Sequence, residues 1–585
     1  MIIKRDGTKQ KFDINKVVNA TYKALLSTNI DDITLAEYIA KGIDFNDAHT
    51  VEDIQDRVEI ALMEKGLYPA ARNYITYRNL HNTIRKQAQA NIDFIHKFID
   101  SDNTANATID DNSNVNTHNI AVLNSEIHKE NNQITNLQIL ENKIKELYPD
   151  FDYKQMKKDF NTIAYLHDSS SQIGMPYCVA ITMYPFLLNG IKDLGGLSAS
   201  PKNIDSFCGM FVNMVFAIAG QFKGAVATPG VLNCFDYFCR KEWGDYYHTK
   251  LDVEISSIHC LNKKTIRKQI HQYFQQIVYS LMQPSGSRGS QACFWNLSIF
   301  DKPFFDSMYS DFKFPDGTPA NWDSLCWLQK EFVSWLNEER LKCILTFPVV
   351  SVCLIYQDGK FLDEDLYEFV CSEYAKGNSF FTYISDSADS LSSCCRLSSK
   401  LAKPQFNFTN GQLSEMTGSK NVITLNINRI TQDFVNSIAE KGITTLEGES
   451  DKKVNTSEEA INMVRNSIIT RIKHNGWPEG KNLFKQYIIT ILDRIYKYQI
   501  AYNECLMDLY NARMLSVYDA GFIDLKKQYL TIGINGLNQA AEYLGIQCNN
   551  NAEYKDFCAL VFTTIKEQNQ LYKTKDVMFN TECTP

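Results

Sequence analysis

Two apolar runs constrain the fold most. CILTFPVVSVCLIY (Cys343–Tyr356) ends two residues before a turn-forming Asp358-Gly359, and NVITLNINRI spans Asn421–Ile430. Both are short, rich in β-branched residues and apolar at neighbouring positions, the pattern of strands covered on both faces as in parallel sheets. Parallel strands need crossovers, usually helices. Leu483–Met514 reads as one long amphipathic helix, and YLTIGINGLNQAAEYLG (Tyr529–Gly545) reads as strand, glycine-containing turn and helix. Alternation of helix with buried strand over this length predicts an α/β barrel or a doubly wound sheet. No internal repeat or coiled coil is evident.

At 585 residues the chain exceeds what a single hydrophobic core usually fills, so more than one domain is expected. Residues 1–90 read as a compact unit: a strand around Met1–Lys4, a turn at Asp6-Gly7, a second strand, then helices. Asp13 is placed to cap a helix carrying Ile14, Val17, Val18, Tyr22 and Leu25 at close to helical spacing. Thr50 can cap the next, with Val51, Ile54, Val58 and Leu62 on one face. A third helix carries Tyr74, Tyr77 and Leu80, with Arg85 and Lys86 near its end. Residues 91–140 are rich in Asn, Asp, Thr and Ser, which bury little, so a linker or surface segment is expected there. Residues 141–585 hold the helix and strand pattern.

Acidic residues outnumber basic ones, 68 to 60. Sequence-independent phosphate binding needs a basic surplus, which argues against DNA as a partner. The start, MIIKRDGTKQ, lacks the apolar core of a secretion signal, and no stretch approaches the roughly 18 apolar residues of a membrane span. A cytoplasmic protein that binds no membrane is therefore expected. Sixteen cysteines without any CxxC pair fit scattered reduced thiols better than a disulfide framework or a zinc site, and no metal ligand is assigned among them.

Three groups of residues stand out chemically. KRDGTKQKFDINK packs Lys4, Arg5, Lys9, Lys11 and Lys16 around a tight turn. Such a cluster either solvates a hairpin or holds a phosphate chain through charge-assisted hydrogen bonds. Cys394 and Cys395 are adjacent in DSADSLSSCCRLSSK, whose small polar flanks favour a reactive loop over a core pair. Cys178 lies in a strand-like run that Pro176 starts and on its own reads as a core cysteine. Gly286, Gly289 and Asn296 in PSGSRGSQACFWN, with Gly533, Asn535 and Gly536 in TIGINGL, are either turn and strand residues or places where backbone amides approach nucleotide oxygens.

KRDG, followed by Phe12-Asp13-x-x-Lys16 and a Thr50-started helix, resembles the ATP-cone, the regulatory domain of many ribonucleotide reductases. HDSSSQIGMPYC (His167–Cys178), SGSRGSQACFWNLS (Ser285–Ser298), TFPVVSVCL (Thr346–Leu354), SCCRL (Ser393–Leu397), NVITLNINRI, YLTIGINGL and FNTECTP (Phe579–Pro585) then follow. Their order and register resemble the anaerobic, class III ribonucleoside-triphosphate reductases over nearly the whole chain.

That resemblance implies a ten-stranded α/β barrel of the glycyl-radical/ribonucleotide reductase type behind a small, mainly helical ATP-cone. It implies reduction of ribonucleoside triphosphates to 2'-deoxyribonucleoside triphosphates by a cysteine thiyl radical, regulated by ATP and dATP. Lys4, Arg5 and Lys16 would hold effector phosphates, with Asp13 and Thr50 near the nucleoside. Cys395 would be the thiyl and Cys178 the hydrogen donor on the opposite face, with Gly286, Gly289, Asn296, Gly533, Asn535 and Gly536 as substrate contacts. Cys394 beside Cys395, and Ser419 where formate users can carry Asn, favour a thioredoxin- or glutaredoxin-like reductant over formate. A homodimer and a radical-SAM activating enzyme are further implied.

The chain departs from the family at its end. Relatives continue past Asn-Thr-Glu-x-x-Pro into further barrel strands, a four-cysteine zinc site and a glycyl-radical loop, whereas this sequence stops at Pro585 and carries no RVxGY-like loop earlier. The expectation is a barrel incomplete at its C-terminus, with glycyl radical and structural zinc on a separate C-terminal fragment. A split gene or a shortened chain is favoured, and decay is the other possibility. Rival readings are a non-catalytic nucleotide-sensing relative and another glycyl-radical enzyme.

Overall fold

The computed structural model describes residues 1–4, 8–100, 120–171, 174–255, 264–283, 292–377, 380–388, 406–407, 411–449 and 478–583. The chain divides into two compact units, Met1–Asp102 and Asn103–Pro585. No helix among the described residues is long and apolar enough to cross a membrane.

In the first unit an antiparallel pair, β1 (Ile2–Ile3) and β2 (Lys9–Gln10), precedes helices α1 (Ile14–Leu26), α2 (Ile33–Lys41), α3 (Val51–Glu64) and α4 (Tyr68–Ile99). Asp13 caps α1 by accepting from the Asn15 N–H at 3.0 Å. Thr50 and Asp53 form a reciprocal capping box on α3. Such caps contribute about 1 kcal/mol each. The core between the helices is Val17, Val18, Leu25, Ala36, Ile39, Val58 and Leu62. Helix α4 runs beyond the expected end near Lys86 to Ile99, because KQAQANIDFIHKFI contains neither Gly nor Pro and is rich in helix formers. The segment read as linker is helical at both ends, in α4 and in the helix Ile120–Leu147.

The second unit is built on one ten-stranded sheet. Its strands are β3 (Ala164–Leu166), β4 (Cys178–Ala180), β5 (Val226–Ala227), β8 (Trp295–Phe300), β9 (Val349–Gln357), β10 (Lys360–Phe361), β11 (Phe381–Ser385), β14 (Thr417–Asn426), β15 (Tyr529–Asn535) and β16 (Met578–Cys583). Small hairpins β6–β7 (Glu254–Ile255, Lys264–Thr265) and β12–β13 (Phe406–Asn407, Gly411–Gln412) lie outside it. Strands β4, β5, β8, β9 and β11 are parallel to one another, as are β14, β15 and β16. The two parallel sets meet antiparallel where β4 pairs with β14. Among the described residues the outer strands of the two sets, β11 and β16, are not paired with each other.

Both expected buried strands exist, with shifted ends. The first begins only at Val349, since the chain leaves the helix Trp322–Lys342 at Cys343 and Pro348 has no N–H to give a ladder. The second is the tail of β14, and Ile427 already starts a helix whose first turn is capped by Asn426 Oδ1 accepting from the Arg429 N–H at 3.0 Å. Tyr529–Gly545 folds as expected: β15, then Gly536 at φ +69°, then the helix Leu537–Tyr543.

Each parallel set has its own hydrophobic core on one face of the sheet. Val179, Val226, Trp295, Leu297, Val350 and Val352 pack against helices in one cluster. Ile423, Leu425, Leu530, Ile532, Ile534 and Phe579 form part of the other.

Candidate functional site

Side chains alternate between faces along a strand, so the residues between these core positions share the opposite face. Registers identify them. Cys178 and Ala180 stand opposite Ser419 and Thr417, Ala180 is level with Ala227, Ala227 with Asn296, and Ser298 with Ser351. Across the second set, Val422 is level with Thr531, Thr424 with Gly533, and Thr531 with Asn580. One face of the sheet is thus large and apolar, whereas the other is built of small and polar side chains. Both are buried, so the strands are covered on both faces as expected, but the second face has the make-up of a polar site rather than a core.

Cys178 is fully buried on this polar face and packs on Ala225, beside Tyr177 and Phe294. Two neighbours fix its carbonyl. Gln528 Nε2 donates to the Cys178 carbonyl at 2.8 Å, and the Tyr518 hydroxyl donates to Gln528 Oε1 at 2.6 Å. Gly418, beside that Gln528 amide, lies so close that a Cβ there would sit 2.4 Å from the same carbonyl oxygen. Only glycine fits that approach, and its φ of +152° is also one that side chains resist.

Beside Cys178, Ser419 hydrogen-bonds Thr531, whose hydroxyl donates to Asn580 Oδ1 at 2.7 Å. On the first set, Asn296 Nδ2 donates to Val349 O at 2.8 Å and to Ser351 Oγ at 3.1 Å. Asn296 Oδ1 and Thr417 Oγ1 have no hydrogen-bond partner among the described residues, so this face keeps acceptor and hydroxyl capacity for a ligand. A bulge at Lys420 turns its side chain and that of Asn421 to the helical side. There Lys420 donates to Asn503 Oδ1 at 2.8 Å and Asn421 to Gln499 Oε1 at 3.0 Å. Burial pushes the Lys420 pKa down to about 8.

At the C-terminal ends of β14, β15 and β16 lies a cavity of about 600 Å³, lined by Asn426, Asn428, Asn535, Gly536, Asn538 and Cys583 among others. The carboxyl ends of parallel strands are where α/β sheets commonly take ligands. Asn535 and Gly536 therefore share one cavity. Gly533 is not part of its lining: it lies mid-strand against Thr424, where a Cβ would be 2.1 Å from Oγ1.

In the first unit, Lys4, Asp13 and Lys16 line a cavity of about 180 Å³ with Gln10, Gln55 and Tyr74. Lys16 Nζ reaches Gln10 Oε1 at 3.4 Å. Thr50 is not in that lining, but it caps α3, whose Val51, Ile54 and Val58 are. Lys16, Gln55 and Tyr74 also border an adjoining cavity of about 610 Å³ with Lys23, Asn73 and Arg78.

Cys394, Cys395, Gly286, Gly289 and Arg5 lie outside the described residues. Sequence reasoning missed Gln528, Tyr518, Thr531, Asn580 and Ser351. A signal for Thr531 and Ser351 was present, since small polar residues alternate with apolar ones in VVSVCL and LTIGIN, as they do in WNLSIF.

The anaerobic ribonucleoside-triphosphate reductase family model matches residues 111–585, and the ATP cone domain model matches residues 1–83. An anaerobic ribonucleoside-triphosphate reductase of Haemophilus influenzae is 21% identical over 303 residues, 49% of this chain and 40% of that protein. A vitamin B12-dependent ribonucleoside-diphosphate reductase of Thermoplasma acidophilum is 36% identical over 97 residues, 15% of this chain and 13% of that one. The matches thus span less than half of either relative. Crystal structures of the Thermotoga maritima anaerobic ribonucleotide reductase, one with glycerol in the active site and one in complex with dATP and CTP, superpose with TM-scores of 0.61 at 25% identity. Each covers 79% of this chain and 68% of the other. The sheet of two opposed parallel sets is therefore of the barrel type of these reductases. The chain belongs to the anaerobic ribonucleoside-triphosphate reductase family and carries an ATP cone at its start.

Proposed function

We propose that this chain is the catalytic polypeptide that reduces ribonucleoside triphosphates to 2'-deoxyribonucleoside triphosphates, with ATP and dATP acting through the cone. The observation that carries this reading is the place of Cys178: a buried thiol on the small, polar face, opposite Ser419. The strand bearing Ser419 follows, in sequence, the segment with Cys394 and Cys395.

Cys395 takes the 3'-hydrogen of the ribose as a thiyl radical. Sulfur suits this step because the S–H bond formed is close in strength to the sugar C–H bond broken, so the hydrogen can later return. The 2'-hydroxyl takes a proton and leaves as water, Cys178 supplies a hydrogen atom to C2' from the opposite side, and Cys394 gives the second reducing equivalent, so that the two thiols end as a disulfide for the external reductant to reopen. The thiyl is generated by a glycyl radical on the family's glycyl-radical segment, which would also hold a structural zinc. A radical-SAM activating enzyme forms that radical. Asn296, with Oδ1 free of partners among the described residues, and the Asn535-Gly536 cavity receive the substrate together with Gly286 and Gly289. Gly533 acts by keeping β15 close to Thr424. Lys4, Arg5, Asp13 and Lys16 hold the effector, and Thr50 orders the helix beside it.

Two electrons must enter per turnover. Ser419 has no carboxamide to hold a small carboxylate and is already bonded to Thr531, which supports a thioredoxin- or glutaredoxin-like reductant acting through Cys394 over formate. A homodimer accords with the family.

The test combines this chain with a purified glycyl-radical segment and the activating enzyme, without oxygen, and follows dCTP formed from CTP. Turnover that needs both chains, and disappears in Cys395→Ser, supports the reading. No product despite a verified glycyl radical rejects it and favours a nucleotide sensor.

A further inference from the structure

Lys223 lies between the helix Ile204–Ala219 and β5, two residues before the Ala225 that packs on Cys178. Its backbone is pinned there: Lys223 N–H donates to Pro176 O at 3.0 Å, and Gly224 N–H to Tyr177 O at 2.6 Å. The side chain is 5% exposed, and Nζ has no hydrogen-bond partner among the described residues. It lies 5.3 Å from the ring centre of Tyr502, whose hydroxyl is committed to Met175 O at 2.7 Å.

Among the described residues, the other buried basic residues in this unit are partnered. Arg240 meets Asp236 at 2.8 Å, and Lys420 meets Asn503 at 2.8 Å. An ammonium has three donors and no acceptor, and burial without a counter-charge is costly, so an aromatic face alone leaves it under-compensated. The neighbouring His167 supplies no counter-charge. His167, bonded through Nε2 to Thr424 Oγ1 at 2.7 Å, is held neutral near pH 7, burial first and the Lys223 charge second lowering its pKa to about 4. His167, Gly174, Met175 and Tyr177 are half-buried, so solvent reaches this end of the sheet.

Position narrows what that ligand presents. Because β4 and β5 run antiparallel to β14, Lys223 at the start of β5 is at the same end of the sheet as the Asn535-Gly536 cavity. We propose that Lys223 Nζ is the counter-charge for an oxyanion that enters this end of the sheet beside Cys178, either the phosphate chain of a nucleotide or a small carboxylate. The identity of the nucleotide rests on the reductase reading, whereas the oxyanion site does not.

The test uses the full chain and compares Lys223→Met, which keeps the stem and removes the charge, with Lys223→Arg, which keeps the charge. CTP and inorganic pyrophosphate are titrated by calorimetry, and formate is followed by saturation transfer to its proton. Thermal unfolding is run alongside, and Lys223→Met is expected to melt no lower than the wild type because an unpartnered charge is gone. At least a tenfold loss of CTP and pyrophosphate affinity in Lys223→Met, largely restored in Lys223→Arg, supports the site and assigns it to phosphate. Loss confined to formate supports the site and assigns it to a carboxylate. Loss of pyrophosphate binding in a chain that never binds CTP supports the oxyanion site and counts against the reductase reading. Unchanged binding of all three probes in a folded Lys223→Met, or a wild type that binds none of them, overturns the proposal.

Discussion

Cys178 and Ser419 are direct partners across the antiparallel joint between the two parallel strand sets. That joint is where the chain returns after β11, so the strand facing Cys178 is also the one that follows the Cys394-Cys395 segment in sequence. The carbonyl of Cys178 is fixed by the Gln528 amide and by the close approach of the bare Cα of Gly418. A thiol that must meet a sugar at a set angle gains from such a fixed backbone.

Gly418→Ala tests that fixation. The added methyl has no room beside the Cys178 carbonyl and takes a φ that alanine resists, so β4 must shift. The expected result is a loss of stability on the order of 1–3 kcal/mol in denaturant unfolding. An unchanged unfolding midpoint would show that the joint is looser than described.

Gly533→Ala tests the second set independently. Its Cβ would meet Thr424 Oγ1 at 2.1 Å, and a loss of similar size is expected, partly reversed by adding Thr424→Ala. Simple additivity of the two substitutions would argue against that contact.

Effector binding is expected to depend on Lys16. It lines the cone cavity and is hydrogen-bonded only weakly, to Gln10 at 3.4 Å, so its loss leaves the fold intact. A charge-assisted bond contributes about 1.5–3 kcal/mol, so Lys16→Ala is expected to weaken dATP binding by roughly tenfold or more in calorimetry. Equal affinity in both proteins would place the nucleotide elsewhere.

Glu415 gives a pH signature. It is buried beside Gly230 and accepts from the Tyr309 hydroxyl, and burial raises its pKa from 4.5 to about 7. A carboxyl raised in the folded state contributes its stability in acid and loses it as pH climbs from about 4.5 through 7. His167 works in the opposite direction, its depressed pKa adding stability as pH rises from about 4 toward 6.5. The difference between wild type and Glu415→Gln isolates the first effect. Relative to the variant, the wild type is expected to lose on the order of 1–3 kcal/mol between pH 5 and 8, and parallel pH curves would contradict the assignment.

Much of this was legible in the sequence because local chemistry and fold agree. Asp13 and Thr50 cap the helices they precede, and Lys4, Asp13 and Lys16 meet in one cavity because they flank the same hairpin and helix. Cys178 and Ser419 were each noted on family grounds, but their pairing was hidden, since 241 positions apart only strand register can join them. Gln528 and Tyr518 gave no local signal, because their task is to hold a carbonyl 350 residues away. Lys223 stayed hidden for a related reason: a lone lysine in a connection looks solvated until its burial is known.

The most direct measurement follows two signals from one substrate. CTP tritiated at the 3' position is turned over by the reconstituted, activated enzyme carrying Cys178→Ala or Cys395→Ser. With Cys395 taking the 3'-hydrogen and Cys178 acting later, Cys178→Ala is expected to release tritium to water without forming dCTP, and Cys395→Ser to do neither. Formation of dCTP at the wild-type rate by either variant would contradict these roles.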